Sequence, residues 1–299
     1  MHLVRLILII LCVGLPASAV ADLNDGDLPA ARWYAHIDLV EMRSSDVGKQ
    51  LYAWLEEELI DELHEEIGFD ADKEANMITA MAAPDKGMLV VIDGDFSQQT
   101  LDRVVAIGAA ASDFNILTHD GNDYYQFEGD GEGHNQNAFG NGAYLSVAIK
   151  NKLIVTSSEE QMQQVFASKG RIPGDYNNGG ALLVLRGENS FLQAGMQTKE
   201  LGDELGWDSN MLRNTEQLAL LVSDRKGLLA VEAQLLASEA QMANSLASIV
   251  RGLISLQAFN EDMDPELTRL LNGTTVDVDG ATLTVKLELD PEVFIQAIN

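Results

Sequence analysis

Two stretches of this sequence match one another in residue class at most positions. They are Asn141-Gly142-Ala143-Tyr144-Leu145-Ser146-Val147-Ala148-Ile149 and Asp279-Gly280-Ala281-Thr282-Leu283-Thr284-Val285-Lys286-Leu287. Two shorter matches keep the same order and nearly the same offset of 138 to 140 residues: 66–70 with 204–208, and 86–89 with 226–229. Because three ordered matches at nearly one offset rarely arise by chance, the sequence predicts an internal duplication. One unit would span 29–170 and the other 179–299, with a joint at 171–178.

The spacing of apolar residues predicts helices and strands in both units. From Val47 to Ile67 every fourth residue is apolar and acids fill the other side, which is typical of an amphipathic helix. In the first unit we predict strands at 33–40, 76–83, 88–92, 124–128, 143–149 and 152–157, with further helices at 97–110 and 158–167. In the second we predict strands at 181–186, 218–223, 228–236, 274–278 and 282–289, with helices ending at 206 and spanning 238–259, 265–271 and the C-terminus from Pro291.

The shared order β-α-β-β-α-β predicts an α+β fold. The expected architecture is two tandem ferredoxin-like units with extra strands, in which helices cover one face of each antiparallel sheet. The helix that ends at Ile67-Gly68-Phe69-Asp70 has a counterpart at Leu205-Gly206-Trp207-Asp208, and paired strands follow each. In these features the chain resembles exported bacterial proteins of unknown function that carry tandem α+β units. The resemblance implies a fold and no functional residue.

The first 21 residues have the organisation of a cleaved secretory signal peptide. Arg5 precedes an apolar run from Leu6 to Leu15, and small-x-small triplets follow at 17–19 and 19–21. A ten-residue helix rises only about 15 Å, half of the hydrocarbon thickness of a membrane, so cleavage before Asp22 is favoured over an anchor. Residues 22–28 would then be a mobile mature N-terminus. We expect an exported protein, periplasmic or extracellular.

The single cysteine, Cys12, lies inside the apolar run rather than at its end, which argues against lipidation. Cleavage would remove it, so the mature chain would contain no disulfide. No segment after residue 21 is long and apolar enough to predict a membrane span.

The charge balance limits the classes of partner. The chain has 47 acidic against 19 basic residues, a formal net charge of −28. Nucleic acids and anionic lipid headgroups would be repelled. Two interpretations stay open: attraction of cations or basic partners, and a charged surface that only keeps the protein soluble.

One loop concentrates metal-binding residue types. Glu128, Asp130 and Glu132 alternate with glycines and could supply oxygen ligands to a hard cation. A calcium-binding loop counted from Glu128 would need an acid at its twelfth position, where Phe139 stands. These three residues are the candidate metal ligands, and a solvated glycine-rich loop is the alternative.

Catalytic patterns fail when their structural context is considered. Ser223 and Lys226 have the S-x-x-K spacing of serine acyltransferases, but they fall on a predicted hairpin turn rather than at a helix start. His64-Glu65 begins like a zinc-protease helix, yet Gly68 replaces the second histidine. We therefore assign no catalytic residue and no cofactor. A non-enzymatic interaction module for an unknown protein or small ligand is favoured over a hydrolase whose acids and histidines meet only in the folded chain.

Overall fold

The structure is a computed structural model that describes residues 33–56, 60, 69–83, 87–111, 113–128, 142–172, 180–188, 215–258 and 270–298. Up to residue 172 the elements are β1 (Trp33–Asp38), α1 (Leu39–Ser44), α2 (Asp46–Leu55), α3 (Ala71–Glu74), β2 (Ala75–Ala83), β3 (Gly87–Gly94), α4 (Gln98–Ala111), β4 (Asp113–His119), β5 (Asn122–Glu128), β6 (Gly142–Ser146), β7 (Lys152–Thr156) and α5 (Glu159–Ala167). From residue 180 they are β8 (Ala181–Glu188), β9 (Thr215–Arg225), β10 (Leu228–Ala237), α6 (Ala240–Ala258), β11 (Thr275–Asp279), β12 (Thr282–Leu289) and α7 (Pro291–Ile298).

These elements form an α+β protein of two compact units. Among the described residues, 33–40 and 52–172 belong to the first unit, and 41–51 and 180–298 to the second. Val47, Leu51 and Leu55 of α2 are each at most 7% exposed, so the predicted four-residue apolar period is confirmed where this helix is described. No helix in the described ranges has the length and apolar character needed to cross a bilayer.

The first unit contains a sheet in the order β1-β2-β3-β7-β6-β5-β4. All of its paired strands are antiparallel. Met88, Leu89, Val90 and Val91 are consecutive residues of β3 and each is at most 4% exposed. Because successive side chains of a strand point to opposite faces, both faces of β3 are covered. The centre of this sheet is therefore part of the core of the first unit.

The second unit contains an antiparallel sheet in the order β8-β9-β10-β12-β11. Helix α6 packs on the β10, β11 and β12 end of this sheet. Leu246 and Ala247 of the helix form a buried cluster with Leu283 of β12, and Val276 and Val285 pack against it. Alternation along β11 and β12 brings these valines and Leu283 to one face.

The ferredoxin-like detail of the predicted fold is not confirmed. A split β-α-β unit places strands on either side of a helix in parallel, whereas β1 pairs with β2 antiparallel, with Trp33 opposite Ala82 and Ile37 opposite Ile78. One match between the predicted copies also falls on strands of different rank. Residues 142–146 form β6, fifth in its sheet counted from β1, while 282–287 lie in β12, fourth counted from β8.

Another match falls on corresponding strands. Gly87 opens β3 and Gly227 precedes β10, the third strand of each sheet, and their φ angles are +81° and +87°. Glycine is favoured at both positions because a side chain is strained in this left-handed region. Gly68 and Gly206, from the remaining match, lie outside the described residues.

Candidate functional site

The predicted metal ligands are only partly within the described residues. Glu128 is the last residue of β5, where its backbone pairs with Asp113 of β4 and Gly142 of β6. Asp130 and Glu132 lie outside the part of the chain that the structure describes. Within that part, no group of three or more histidine, cysteine or acidic side chains is arranged to hold a metal ion. The candidate cation loop thus stays a prediction.

The S-x-x-K residues and the two histidines within the described residues, His36 and His119, lie on different elements. Ser223 lies in β9, and Lys226 lies in the two-residue turn to β10 with φ +57°. The prediction that this S-x-x-K spacing falls on a hairpin is confirmed. His36 is 7% exposed in β1, where its Nδ1 lies 2.9 Å from Thr79 Oγ1 and its ring stacks on Tyr34. His119 contacts the adjacent Asp120 at the tip of the β4–β5 hairpin, with 3.6 Å between Nε2 and Oδ2.

A buried carboxylate that the sequence did not indicate is Glu74 of α3, which is 8% exposed. Its oxygens accept hydrogen bonds from Ser97 N–H at 2.9 Å and from Thr100 Oγ1 at 2.9 Å. Burial alone would raise the pKa of Glu74, but the hydrogen bonds from Ser97, Thr100 and the Asp70 N–H outweigh it and lower the pKa. Since Ser97 and Thr100 lie at the start of α4, the carboxylate caps that helix from a distant segment.

A second polar cluster joins the ends of β3 and β7. Lys152 forms an ion pair with Asp93 across the two strands, and both side chains are about four-fifths buried. Asn151 Nδ2 donates to Asp95 Oδ1 at 3.0 Å. These side chains bond to one another and fix the register of β3 against β7, so we assign them a structural role.

The β4–β5 hairpin is closed by the two-residue turn Asp120-Gly121. Their φ angles of +50° and +78° are those of a type I′ turn, which matches the twist of antiparallel strands. Thr118 Oγ1 donates to Asp123 Oδ1 at 2.9 Å beside the turn. One face of the hairpin is anchored: the Tyr124 ring lies 5.8 Å from that of Phe166 in α5, and its hydroxyl donates to Glu159 at 2.6 Å. Burial and then this bond to a carboxylate raise the pKa of Tyr124.

The other face of the hairpin carries a cluster of large apolar side chains, which we call the hairpin surface: Phe114, Ile116, Tyr125 and Phe127. Phe114 lies opposite Phe127 and Ile116 opposite Tyr125 in the strand register. The Phe114 ring stacks on Tyr125 at 5.4 Å and lies 5.7 Å from Phe127. Aromatic pairs at such separations stabilise one another beyond the area that they bury.

Burial is lost at the end of the row of side chains that leads to this surface. The row runs across five strands as Val90, Val155, Leu145, Tyr125 and Ile116. The first three are 4%, 6% and 4% exposed, Tyr125 is half-buried and Ile116 is 63% exposed. The apolar layer of this face thus continues onto the hairpin, but at Ile116 of the outer strand β4 it is no longer buried.

Sequence reasoning missed β4, and with it half of the hairpin surface. The signal was present: Asp120-Gly121 stands between the apolar stretches at 114–117 and 124–127, and Asp-Gly in such a position is a strong indicator of a type I′ hairpin. Phe114 and Ile116 lie on either side of the polar Asn115, and the polar Thr118 ends the stretch. This alternation also predicts a strand.

Comparison with known proteins gives structural similarity alone. No family model and no curated protein matches this chain. Three solved structures are similar to it, crystal forms I, III and IV of TP0453. Form III has 10% sequence identity and a TM-score of 0.45 over 90% of this chain and 94% of that one. Forms I and IV have 11% identity and TM-scores of 0.47 and 0.48, over 90% of this chain and 92% of theirs.

Proposed function

We propose that this chain is an exported, non-enzymatic interaction module that binds a protein partner through the hairpin surface. The observation that supports it is the change in burial along one row, from 4% for Leu145 to 63% for Ile116. A large aliphatic side chain next to a stacked aromatic cluster is a costly surface to leave in water, since each Å² of apolar area contributes about 25 cal/mol when buried. A protein partner would bury it.

Three further features support the proposal. The hairpin is anchored from its opposite face by Tyr124, so binding would order few groups. Aromatic residues are enriched among the side chains that contribute most to protein interfaces. The oxygens of the buried Glu74 already accept hydrogen bonds at the start of a helix, which favours a structural role over a catalytic one for this carboxylate.

Paired variants at two exposed apolar positions test the proposal. Ile116 of the hairpin surface is 63% exposed and Leu256 of α6 is 71% exposed, so aspartate at either position should leave the fold intact. Each variant would be mixed with exported proteins from the source cells, cross-linked, and compared with the wild type. We expect Ile116→Asp to lose discrete cross-linked complexes and Leu256→Asp to keep them. Equal retention or equal loss in both variants would refute a specific site at the hairpin surface.

Export and duplication belong to the same proposal. Export is supported by the apolar run 6–15 followed by small-x-small triplets, and N-terminal sequencing of secreted protein should give Asp22 as the first residue. An intact Met1 or an acylated Cys12 would contradict it. Duplication into tandem α+β units is supported by the shared strand order, in which β1-β2-β3-β7-β6 corresponds to β8-β9-β10-β12-β11.

A further inference from the structure

Strand β4 is the outer strand of the first unit, and within the described residues β5 is the one strand hydrogen-bonded to it. His119 and Asn122 flank the two-residue turn. A β-turn of this kind is closed by a hydrogen bond between those flanking residues, so they form a hydrogen-bonded pair and the bonded pairs alternate from there. The backbone N–H and C=O groups of Phe114, Ile116 and Thr118 consequently point away from β5, along the edge of β4 that has no strand partner among the described residues.

The outer strand of the second unit, β11, has features that protect such an edge. Its alternate residues Thr275, Asp277 and Asp279 are exposed, and two of them are acidic. The carbonyl of Val276 accepts a hydrogen bond from Arg251 Nη2 of α6 at 2.5 Å. Charged side chains and occupied carbonyls are common means of preventing an edge from pairing. On β4 the central residue of the edge is the exposed Ile116 instead.

We propose that β4 accepts an additional strand from a partner protein, in a segment that alternates apolar and basic residues. This inference rests on the proposed function and specifies how the partner binds. Alternate side chains of an added strand would lie on the hairpin-surface side, where Phe114 and Ile116 offer apolar contacts, while its backbone bonds to the N–H and C=O groups of β4. This geometry is the reason to expect apolar side chains at alternate positions of the partner segment.

The basic half of the alternation follows from charge. The chain has a net charge of −28, and Asp120 in the turn is exposed, so a basic segment would approach a strongly acidic protein at this edge. An approaching basic segment would be attracted over the range that salt leaves unscreened. A second copy of this chain is the disfavoured occupant, because pairing two β4 edges would bring two strongly acidic molecules together.

Peptide binding to the full mature chain tests this mode. The probe is a labelled eight-residue peptide in which lysine alternates with valine. One control peptide groups its four lysines before its four valines, and another carries glutamate in place of lysine. Fluorescence anisotropy should show the alternating lysine peptide binding at least tenfold more tightly than either control, and more weakly as salt rises. Equal binding of the alternating and grouped lysine peptides would overturn the proposal, since charge alone would then explain it.

Two variants at Ile116 distinguish backbone pairing along the β4 edge from apolar contact with the hairpin surface. Ile116→Thr removes apolar area but keeps the backbone N–H, whereas Ile116→Pro removes both, and proline is tolerated on an edge strand where the N–H faces outward. We expect Ile116→Pro to bind the alternating peptide about tenfold more weakly than Ile116→Thr, as loss of one or more hydrogen bonds requires. Val278→Pro places proline on the other outer strand, β11, and because it leaves β4 unchanged it should bind the peptide like the wild type.

Hydrogen exchange on the wild-type protein tests strand addition without depending on whether any variant folds. Saturating peptide should slow exchange at the amides of Phe114, Ile116 and Thr118 and leave those of Val276 and Val278 unchanged. If Ile116→Pro and Ile116→Thr bind equally and these β4 amides gain no protection, strand addition is refuted while binding at the hairpin surface stands. If neither variant weakens peptide binding and Ile116→Asp keeps its cross-linked complexes, the proposed function fails as well. A dimer of the chain that Ile116→Pro abolishes would identify a second copy as the occupant and would also refute the proposal.

Discussion

Replacing Glu74 by glutamine should destabilise the first unit and alter how its stability depends on pH. The carboxylate is 8% exposed and accepts from Ser97 N–H and Thr100 Oγ1, both at 2.9 Å, and from the Asp70 N–H at 3.4 Å. A hydrogen bond to a charged group contributes about 1.5–3 kcal/mol. Glutamine keeps one acceptor oxygen but loses the charge and turns an NH2 group toward one of the donors. We expect Glu74→Gln to lower the free energy of unfolding by about 2 kcal/mol at neutral pH.

The contribution of Glu74 to the free energy of unfolding should decrease in acidic solution. Hydrogen bonds hold the pKa of Glu74 below its ordinary value in the folded protein, in spite of its burial. The charged group therefore contributes stability that is fully present above the pKa of the unfolded state and is lost as pH falls through the lowered pKa. The stability gap between wild type and Glu74→Gln should be constant above about pH 5.5 and shrink in more acidic solution.

Urea unfolding from pH 3 to pH 8, followed by tryptophan fluorescence and far-UV circular dichroism, would measure this gap. Trp33 is 7% exposed in β1 and reports on the same unit as Glu74. Glu216→Gln in β9 is the control, since Glu216 is exposed, and it should change stability by at most about 0.5 kcal/mol. A gap for Glu74→Gln that does not vary with pH, or that is no larger than in the control, would refute the capping role.

Two other predictions concern close backbone packing and the candidate cation loop. Gly94→Ala should destabilise by about 3 kcal/mol, because its Cβ would lie 1.7 Å from the backbone oxygen of Glu74, whereas Gly252→Ala in α6 meets open space and should be neutral or slightly stabilising in thermal unfolding. If the acids of the loop only solvate the surface, calcium and sodium at matched ionic strength should raise the melting temperature equally. A saturable rise specific to calcium, lost when Glu128, Asp130 and Glu132 are all changed to alanine, would instead establish a metal site.

The positions of most elements could be predicted from local patterns. Strand β12 occupies 282–289 as predicted, and α5 begins at Glu159, one residue after the Ser158 cap that accepts from Gln161 N–H. These predictions succeed because the periods of apolar residues and the capping chemistry are properties of neighbouring residues. Sequence matches between the units were a less reliable guide to which strands correspond. The matched stretches 142–146 and 282–287 lie in β6 and β12, which have different positions in the strand order. A strand of alternating residues carries little information about which neighbour it joins.

By itself the sequence determined the α+β class, the acidity and the periods of the strands and helices, because each is encoded within a few residues of the chain. The tertiary structure decided which of these features are functional candidates. Glu74 reads as one of many acids until α4 brings Ser97 and Thr100 to it from 23 and 26 residues away. Ile116 lies in no predicted helix or strand, and only the alignment of five strands places it, 63% exposed, at the end of a buried row. Burial and pairing across a sheet depend on segments far apart in sequence, which no local pattern of residues can specify.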